Sequence, residues 1–149
     1  MVAALLALLV VALPNTKATF SVEESWKPVT TTSIVAAYRG PRGEILAVTR
    51  AQVPNADAWR EKTRAKYIED VERGAMAAIR GAKRISHKTS ETNEVPTLDL
   101  EVRREDGATI VIRYLLFRTY ALALAVEVPR GGSANEARSI AASFAPPAS

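Results

Sequence analysis

The sequence predicts an α+β domain in which an antiparallel β-sheet of about six strands packs with one long central helix and a C-terminal helix. The main observation is the stretch 97–128, where apolar and polar residues alternate with the period of two that is typical of strands. A long segment with helical periodicity follows Pro54, and a shorter one follows Gly132. Strands grouped around two helices in this order favour α+β over a regular alternation of strand and helix.

The chain begins with an uninterrupted apolar run, Val2–Leu13, which is closed by Pro14. This run is shorter than the roughly 20 residues that cross a bilayer and fits the apolar region of a secretory signal peptide. We therefore predict a signal peptide at residues 1–18 and a single domain at 19–149. No basic residue precedes the run, so an uncleaved anchor and a first buried strand are the alternatives.

The composition excludes several classes of protein. The chain contains no cysteine, so a lipidated N-terminus, a disulfide framework, thiol catalysis and a zinc–thiolate site are excluded. Export without disulfides is typical of the periplasm, and we expect a periplasmic or secreted protein with no stable membrane insertion after leader removal. The net charge of +4 is small and dispersed, which argues against nucleic-acid binding.

Three strands are predicted before the long helix. Phe20–Lys27 is predicted as an edge strand that ends at Pro28. Ser33–Arg39 and Glu44–Val53 are rich in β-forming residues, and the Gly-Pro-Arg-Gly sequence at 40–43 between them is typical of a hairpin loop.

The long helix is predicted from Ala56 to about Arg80, with Gly81 as its C-terminal stop. Its apolar face, with Val71, Ala75 and Ala78, is expected to pack on the sheet face that carries the apolar residues of 98–102.

Arg60 and Arg64 conflict with this pattern, because a helical wheel places both within about 20° of the centre of the apolar face. One interpretation is structural: the first two turns extend beyond the sheet, and the guanidinium groups either reach solvent along their aliphatic stems or pair with carboxylates such as Asp99 or Glu101. The other is a binding site for an anion or for a carboxylate of a partner.

Lys83–Ser90 is predicted as a strand with Ile85, His87 and Thr89 on one side, and residues 91–96 as a polar loop. His87 is the single histidine, and we interpret it as a surface or packing residue. The other side of the strand carries basic residues. Together with the helix end they form the densest basic set of the chain, which either is solvated or meets an acidic partner or a lipid surface: Arg80, Lys83, Arg84 and Lys88.

The predicted meander consists of 97–103, Ala108–Phe117 and Tyr120–Val128, with Asp106-Gly107 as its first hairpin turn. A capping box of Ser133 and Glu136 is predicted to start the final helix. The residue types and spacings of nucleophile triads, metal clusters and phosphate loops are missing from the sequence. We therefore expect no catalytic residue, no metal and no cofactor.

The order of these elements resembles the PsbP/DcrB-like (Mog-type) fold family, as an exported bacterial member. The segments that carry the resemblance are PNADAWR before the helix, RYLLFRTYALALAVEVP in the last strands and ARSIAASF, with Ser143-Phe144 near its end. The resemblance implies an α/β/α sandwich with an antiparallel sheet between helices. The chain differs from the lipoprotein members because it lacks the lipidated cysteine.

The resemblance also implies a non-catalytic role, since its members include photosystem extrinsic subunits, a Ran-binding nuclear protein, envelope lipoproteins and secretion chaperones. We expect an accessory or binding module, not an enzyme, that engages another protein in the cell envelope. The candidate binding residues are Arg60, Arg64, Arg80, Lys83 and Arg84. The alternative is a periplasmic carrier of a small ligand or anion that uses Arg60 and Arg64.

Overall fold

The structure, a computed structural model, describes residues 8–14, 16–31, 34–52 and 61–148. The strands of this part are β1 Leu8–Ala12, β2 Thr19–Glu23, β3 Lys27–Pro28, β4 Ala36–Arg39, β5 Ile45–Gln52, β6 Lys83–Thr92, β7 Val95–Arg103, β8 Thr109–Leu116 and β9 Tyr120–Val128. The helices are α1 Glu61–Ala78 and α2 Asn135–Ser143.

In the described residues the main sheet has seven strands in the order β3-β4-β5-β9-β8-β7-β6, and all neighbouring pairs are antiparallel. β1 and β2 form a separate two-stranded sheet. The prediction of about six strands was therefore too low. The predicted strand Phe20–Lys27 is two strands, because a turn in which the Trp26 amide donates to the Glu23 carbonyl separates β2 from β3.

The meander β7–β8–β9 is confirmed, and its alternation gives the sheet two different faces. One face, here called the α1 face, carries Leu98, Leu100 and Ile112, which pack with Ala75 and Val71 of α1. The predicted contact of α1 is therefore confirmed for these two residues, whereas Ala78 is exposed. The opposite face, here called the α2 face, packs against α2 and the β1–β2 sheet.

The structure differs from the prediction of one long central helix, because α1 is described over 18 residues, Glu61–Ala78, and ends two residues before the predicted end. Gly81 has a φ of 63° and lies in the turn that follows, as expected for a glycine after a helix. The predicted residues 56–60 of the helix lie outside the described part of the chain.

The predicted polar loop at 91–96 is wrong, because β6 and β7 continue to a tight hairpin in which Thr92 pairs with Val95. Its two turn residues, Asn93 and Glu94, have φ values of 47° and 69°. This geometry is that of a two-residue hairpin turn, and asparagine tolerates it better than most residues. The side-chain amide nitrogen of Asn93 also donates a hydrogen bond of 2.8 Å to the Pro146 carbonyl, which fixes the turn against the C-terminal segment.

The predicted capping box of α2 is also wrong. The N-cap residue is Ala134, with no side-chain capping bond, and Glu136 instead accepts a hydrogen bond of 2.6 Å from the indole nitrogen of Trp26. Arg42 also contacts Glu136 and binds the buried Glu44. A buried indole N–H needs an acceptor, so tertiary contact outweighs the local capping rule here.

Ser143 and Phe144, on which the family resemblance partly rests, join α2 to β2. The Ser143 hydroxyl accepts a hydrogen bond from the Ser21 amide at 2.9 Å and donates to the Ile140 carbonyl at 2.6 Å. Phe144 is fully buried and packs edge-to-face on Phe20. The end of the helix is thereby held in the core of the α2 face.

The apolar N-terminal run contributes β1, which pairs with β2 from Leu8 opposite Glu23 to Ala12 opposite Thr19. Leu13 and Ala18 are buried in the core, whereas Leu8 and Val10 are more than half exposed. Removal of residues 1–18 as a signal peptide stays a prediction, which these contacts do not test.

Candidate functional site

A β-bulge in β6 decides where the predicted basic residues lie. The register shifts between Arg84 and Ser86, so Arg84 lies opposite Val102 and His87 opposite Leu100, both on the α1 face. The sequence analysis predicts that Arg84 and His87 lie on opposite sides of the strand, and this prediction is wrong. It assumes that side chains alternate strictly, whereas a bulge adds one residue and shifts the alternation.

Arg84 and His87 bind Glu72 of α1. Arg84 Nη1 lies 2.8 Å from Glu72 Oε1, and His87 Nδ1 lies 3.1 Å from Glu72 Oε2. Burial opposes ionisation of Glu72, but hydrogen bonds from Arg84 and His87 outweigh it and lower the pKa of this carboxyl. Arg84 therefore holds α1 against β6.

Arg64 Nη1 lies 3.5 Å from Oε1 of Glu91, on the α1 face. Its predicted partners Asp99 and Glu101 lie on the α2 face, where Arg113 and Arg138 bind them. The structural interpretation therefore named the wrong carboxylates for Arg64. The predicted Arg60 lies outside the described residues, so the pair as a binding site is not tested.

Two glycines bring three turns together at one end of the sheet. A Cβ on Gly81 would lie 2.7 Å from the Cβ of Glu105, and one on Gly107 would lie 2.8 Å from the Cδ of Arg130. Both glycines have positive φ, at 63° and 92°. Because neither carries a side chain, the turn before β6, the β7–β8 turn and the segment after β9 approach one another.

The carboxylates of these turns are already engaged. Glu105 Oε2 lies 3.1 Å from Arg80 Nε, and Arg104 binds both Asp106 and Glu127. Hydrogen bonds from Arg104 and from the Ala108 amide lower the pKa of Asp106 to about 2. The predicted residue Arg80 and its neighbour Arg104 are thus both bound to carboxylates.

Four cations on β6 and at the adjoining end of the sheet form no ion pair with a carboxylate of the described residues, and we call them the basic edge surface: Lys83, Lys88, Arg103 and Arg130. Lys83 and Arg103 are register partners and both line a depression of about 600 Å³. Arg103 and Arg130 line an adjoining depression of about 500 Å³. Of the predicted site residues, only Lys83 belongs to this surface.

A third depression, of about 440 Å³, lies on the α2 face between β6 and α2 and is lined by Ser86 and Lys88. Two ion pairs form its floor, Arg113 with Asp99 at 2.8 Å and Arg138 with Glu101 at 2.6 Å. Both are bidentate, which satisfies the carboxylates, and the pair of Arg138 with Glu101 attaches α2 to the sheet. The hydrogen bond from Arg138 lowers the pKa of Glu101 against the opposing effect of burial.

Sequence reasoning assigned Lys88 to the densest basic set but did not find Arg103 or Arg130. Each lies beside a turn that contains glycine, which is the only local signal for them. Their proximity depends on the approach at Gly107, which no pattern in the sequence shows.

The described residues contain no group of three or more histidine, cysteine, aspartate or glutamate side chains that could hold a metal ion. No helix of this part of the chain is long and apolar enough to cross a membrane. What the described surface offers chemically is an excess of hydrogen-bond donors and positive charge at one edge of the sheet.

No protein-family profile and no curated protein sequence matches the chain. Among solved structures, cyanobacterial PsbP (CyanoP) from Synechocystis sp. PCC 6803 is similar with a TM-score of 0.63 and 14% identity, over 99% of this chain and 98% of that protein. A putative regulator of unknown function from Pseudomonas aeruginosa, PA94, aligns with a TM-score of 0.41 and 12% identity, over 82% of this chain and 83% of that one. The first likeness, together with the antiparallel sheet between two helices, shows that the chain has a PsbP-like α+β fold.

Proposed function

We propose that the protein is an exported, non-catalytic accessory module that binds another protein of the cell envelope through an acidic segment of that partner. The basic edge surface is the observation that carries the proposal. It presents four exposed cations that carry no ion pair within the described structure, on the edge strand β6 and at the adjoining end of the sheet.

Charged surfaces of this kind steer an oppositely charged partner and fix its orientation, more than they add affinity. Here the neighbouring carboxylates cannot neutralise the surface, because Arg80 binds Glu105 and Arg104 binds Asp106 and Glu127. The remaining positive charge is therefore available to a partner. A protein partner is favoured over nucleic acid because Glu105 lines both depressions beside Arg103 and interrupts the positive charge, which suits separate carboxylates better than a continuous phosphate backbone.

The test is to capture partners from envelope extract by crosslinking and mass spectrometry, and then to measure the purified partner's affinity at several salt concentrations. We expect the double variant Arg103→Gln with Arg130→Gln to weaken binding about tenfold, with a smaller dependence on salt, because two unpaired cations are removed.

Lys66→Gln is the matched control, since Lys66 is exposed on α1 and forms no ion pair in the described structure. Binding that is equally strong in the double variant and in the control would refute the proposal. Turnover of a substrate by the purified protein would refute its non-catalytic part.

A further inference from the structure

We propose that the partner's acidic segment binds as an extended strand, added to the outer edge of β6 as the eighth strand of the sheet. This inference rests on the proposed function and specifies the form in which the partner binds. It starts from the position of β6, which ends the sheet order and has no described strand on its outer side.

The two edges of the main sheet are unequal. At one edge β3 has two residues, and one of them is Pro28, which cannot donate a ladder hydrogen bond. At the other edge β6 has ten residues, and every residue from Lys83 to Thr89 is exposed. A short strand with proline blocks strand addition, whereas a long exposed strand offers about half of its backbone N–H and C=O groups to a further strand.

The positive charge of β6 favours an added strand that is acidic. Lys83, Arg84 and Lys88 are cationic, and the single carboxylate of the strand, Glu91, lies beside Arg64. Pairing with β6 of a second copy would place an excess of cations side by side, since each strand carries three Lys or Arg and one Glu, and like charges on neighbouring strands are unfavourable. Cations on an edge therefore discourage self-association and favour an acidic strand.

The two faces of β6 differ in a way that specifies the spacing of the acidic residues. Lys83 and Lys88 both lie on the α2 face. Their register partners on β7 are Arg103 and Asp99, which are four residues apart, so the two lysines are separated by about 13 Å along the sheet. On the α1 face, Glu72 lies against Arg84 and would repel a carboxylate. An added strand is thus expected to carry acidic residues at positions i and i+4, with both side chains on the α2 face.

The α2 face also has room for such side chains. Neighbouring strands are about 4.8 Å apart, so a side chain of the added strand next to Ser86 enters the 440 Å³ depression that Ser86 and Lys88 line. The bulge residue Ile85 is nearly half exposed and available to an apolar residue of the partner. Backbone pairing with alternate side chains in adjacent depressions is how strand addition achieves both affinity and specificity.

The experiment is a selection of displayed random decapeptides on the full chain, followed by affinity measurements on the best peptide in synthetic form. We expect enriched sequences that lack proline and carry Asp or Glu at i and i+4. Lys83→Glu with Lys88→Glu should weaken binding at least tenfold, whereas Lys66→Glu on α1 should leave it unchanged.

N-methylation of single peptide bonds in the synthetic peptide then tests the strand. Methyl groups should abolish binding at every second position, because only alternate N–H groups of an added strand point at β6. Hydrogen exchange should slow for amides of β6 and not for those of β3.

Strand addition would be overturned by an acidic peptide whose binding requires Lys83 and Lys88 but whose N-methylation scan shows no two-residue period and whose binding does not slow hydrogen exchange in β6. That result would leave the proposed function intact. A selection that enriches no acidic peptide would also overturn strand addition. The proposed function itself fails separately, if binding of the envelope partner does not respond to Arg103→Gln with Arg130→Gln.

Discussion

The guanidinium of Arg113 donates two hydrogen bonds to Asp99, from Nε to Oδ1 at 2.8 Å and from Nη2 to Oδ2 at 3.1 Å. Its third nitrogen, Nη1, donates to the carbonyls of Ala142 and Phe144, both at 3.2 Å. One side chain of β8 therefore satisfies the C-terminal carbonyls of α2 and fixes the helix to the sheet.

Replacing this guanidinium should destabilise the fold. We expect Arg113→Gln to lower the free energy of unfolding by about 1–3 kcal/mol, because Asp99 and two carbonyls lose charged donors in a partly buried site. Arg113→Lys should recover only part of the loss, since an ammonium group cannot reproduce the planar fork. Urea denaturation measures this, with the exposed Arg118→Gln as control; equal midpoints for the Arg113 and Arg118 variants would contradict the prediction.

Stability should fall in acid, in part through Glu101. Its pKa is lowered from the ordinary 4.5 in the folded protein, chiefly by the hydrogen bond from Arg138. A lowered folded-state pKa adds stability above the unfolded value, and this contribution is lost as pH falls from 4.5 through the folded pKa. Glu101→Gln should therefore show a weaker pH dependence of unfolding below pH 4.5 than the parent, and identical slopes would exclude this role for Glu101.

The contact of α1 with the sheet can be tested at Ala75, which is 9% exposed and packs with Leu98 and Leu100. Ala75→Leu should overpack this contact and cost about 1–3 kcal/mol of stability. Ala77→Leu is the control, because Ala77 is exposed on the same helix and, unlike Ala78, does not line the depression between α1 and the sheet. Thermal unfolding that leaves Ala75→Leu as stable as the control would place the helix face elsewhere.

Glu136 should stabilise the protein through Trp26 rather than through the helix end. Glu136→Ala should cost about 1–3 kcal/mol, because it strands a largely buried indole N–H, whereas Ser133→Ala should cost little. A double-mutant cycle with Trp26→Phe measures the coupling between the two side chains. Additive losses in this cycle would show that the hydrogen bond contributes nothing.

We also predict that the mature protein begins close to Thr19, since the apolar run is too short to span a bilayer and small residues follow it. N-terminal sequencing of the protein from its native host decides this. An envelope form that retains Leu8–Ala12 would contradict the prediction, and β1 would then pair with β2 in the mature protein.

Local periodicity was enough to predict several elements from the amino-acid sequence. Alternation within 97–128 predicts the β7–β8–β9 meander, and helical spacing around Val71 predicts α1 and the face it buries. These patterns can be recognised because burial of one face of an element repeats apolar residues with a period of two in a strand and of 3.6 in a helix. The same information is enough for the α+β class of the fold.

The tertiary structure decided what depends on contacts between distant residues. The bulge in β6 places Arg84 beside Glu72, and the approach of Gly107 to Arg130 brings Arg130 to the β7–β8 turn, next to the other cations of this end. Glu136 accepts a hydrogen bond from the Trp26 indole instead of capping α2. A buried N–H without an acceptor costs more free energy than an exposed backbone N–H at a helix end, which water can satisfy. Partners of this kind lie far apart in the chain, so local periodicity carries no signal for them, and only the packed fold brings them together.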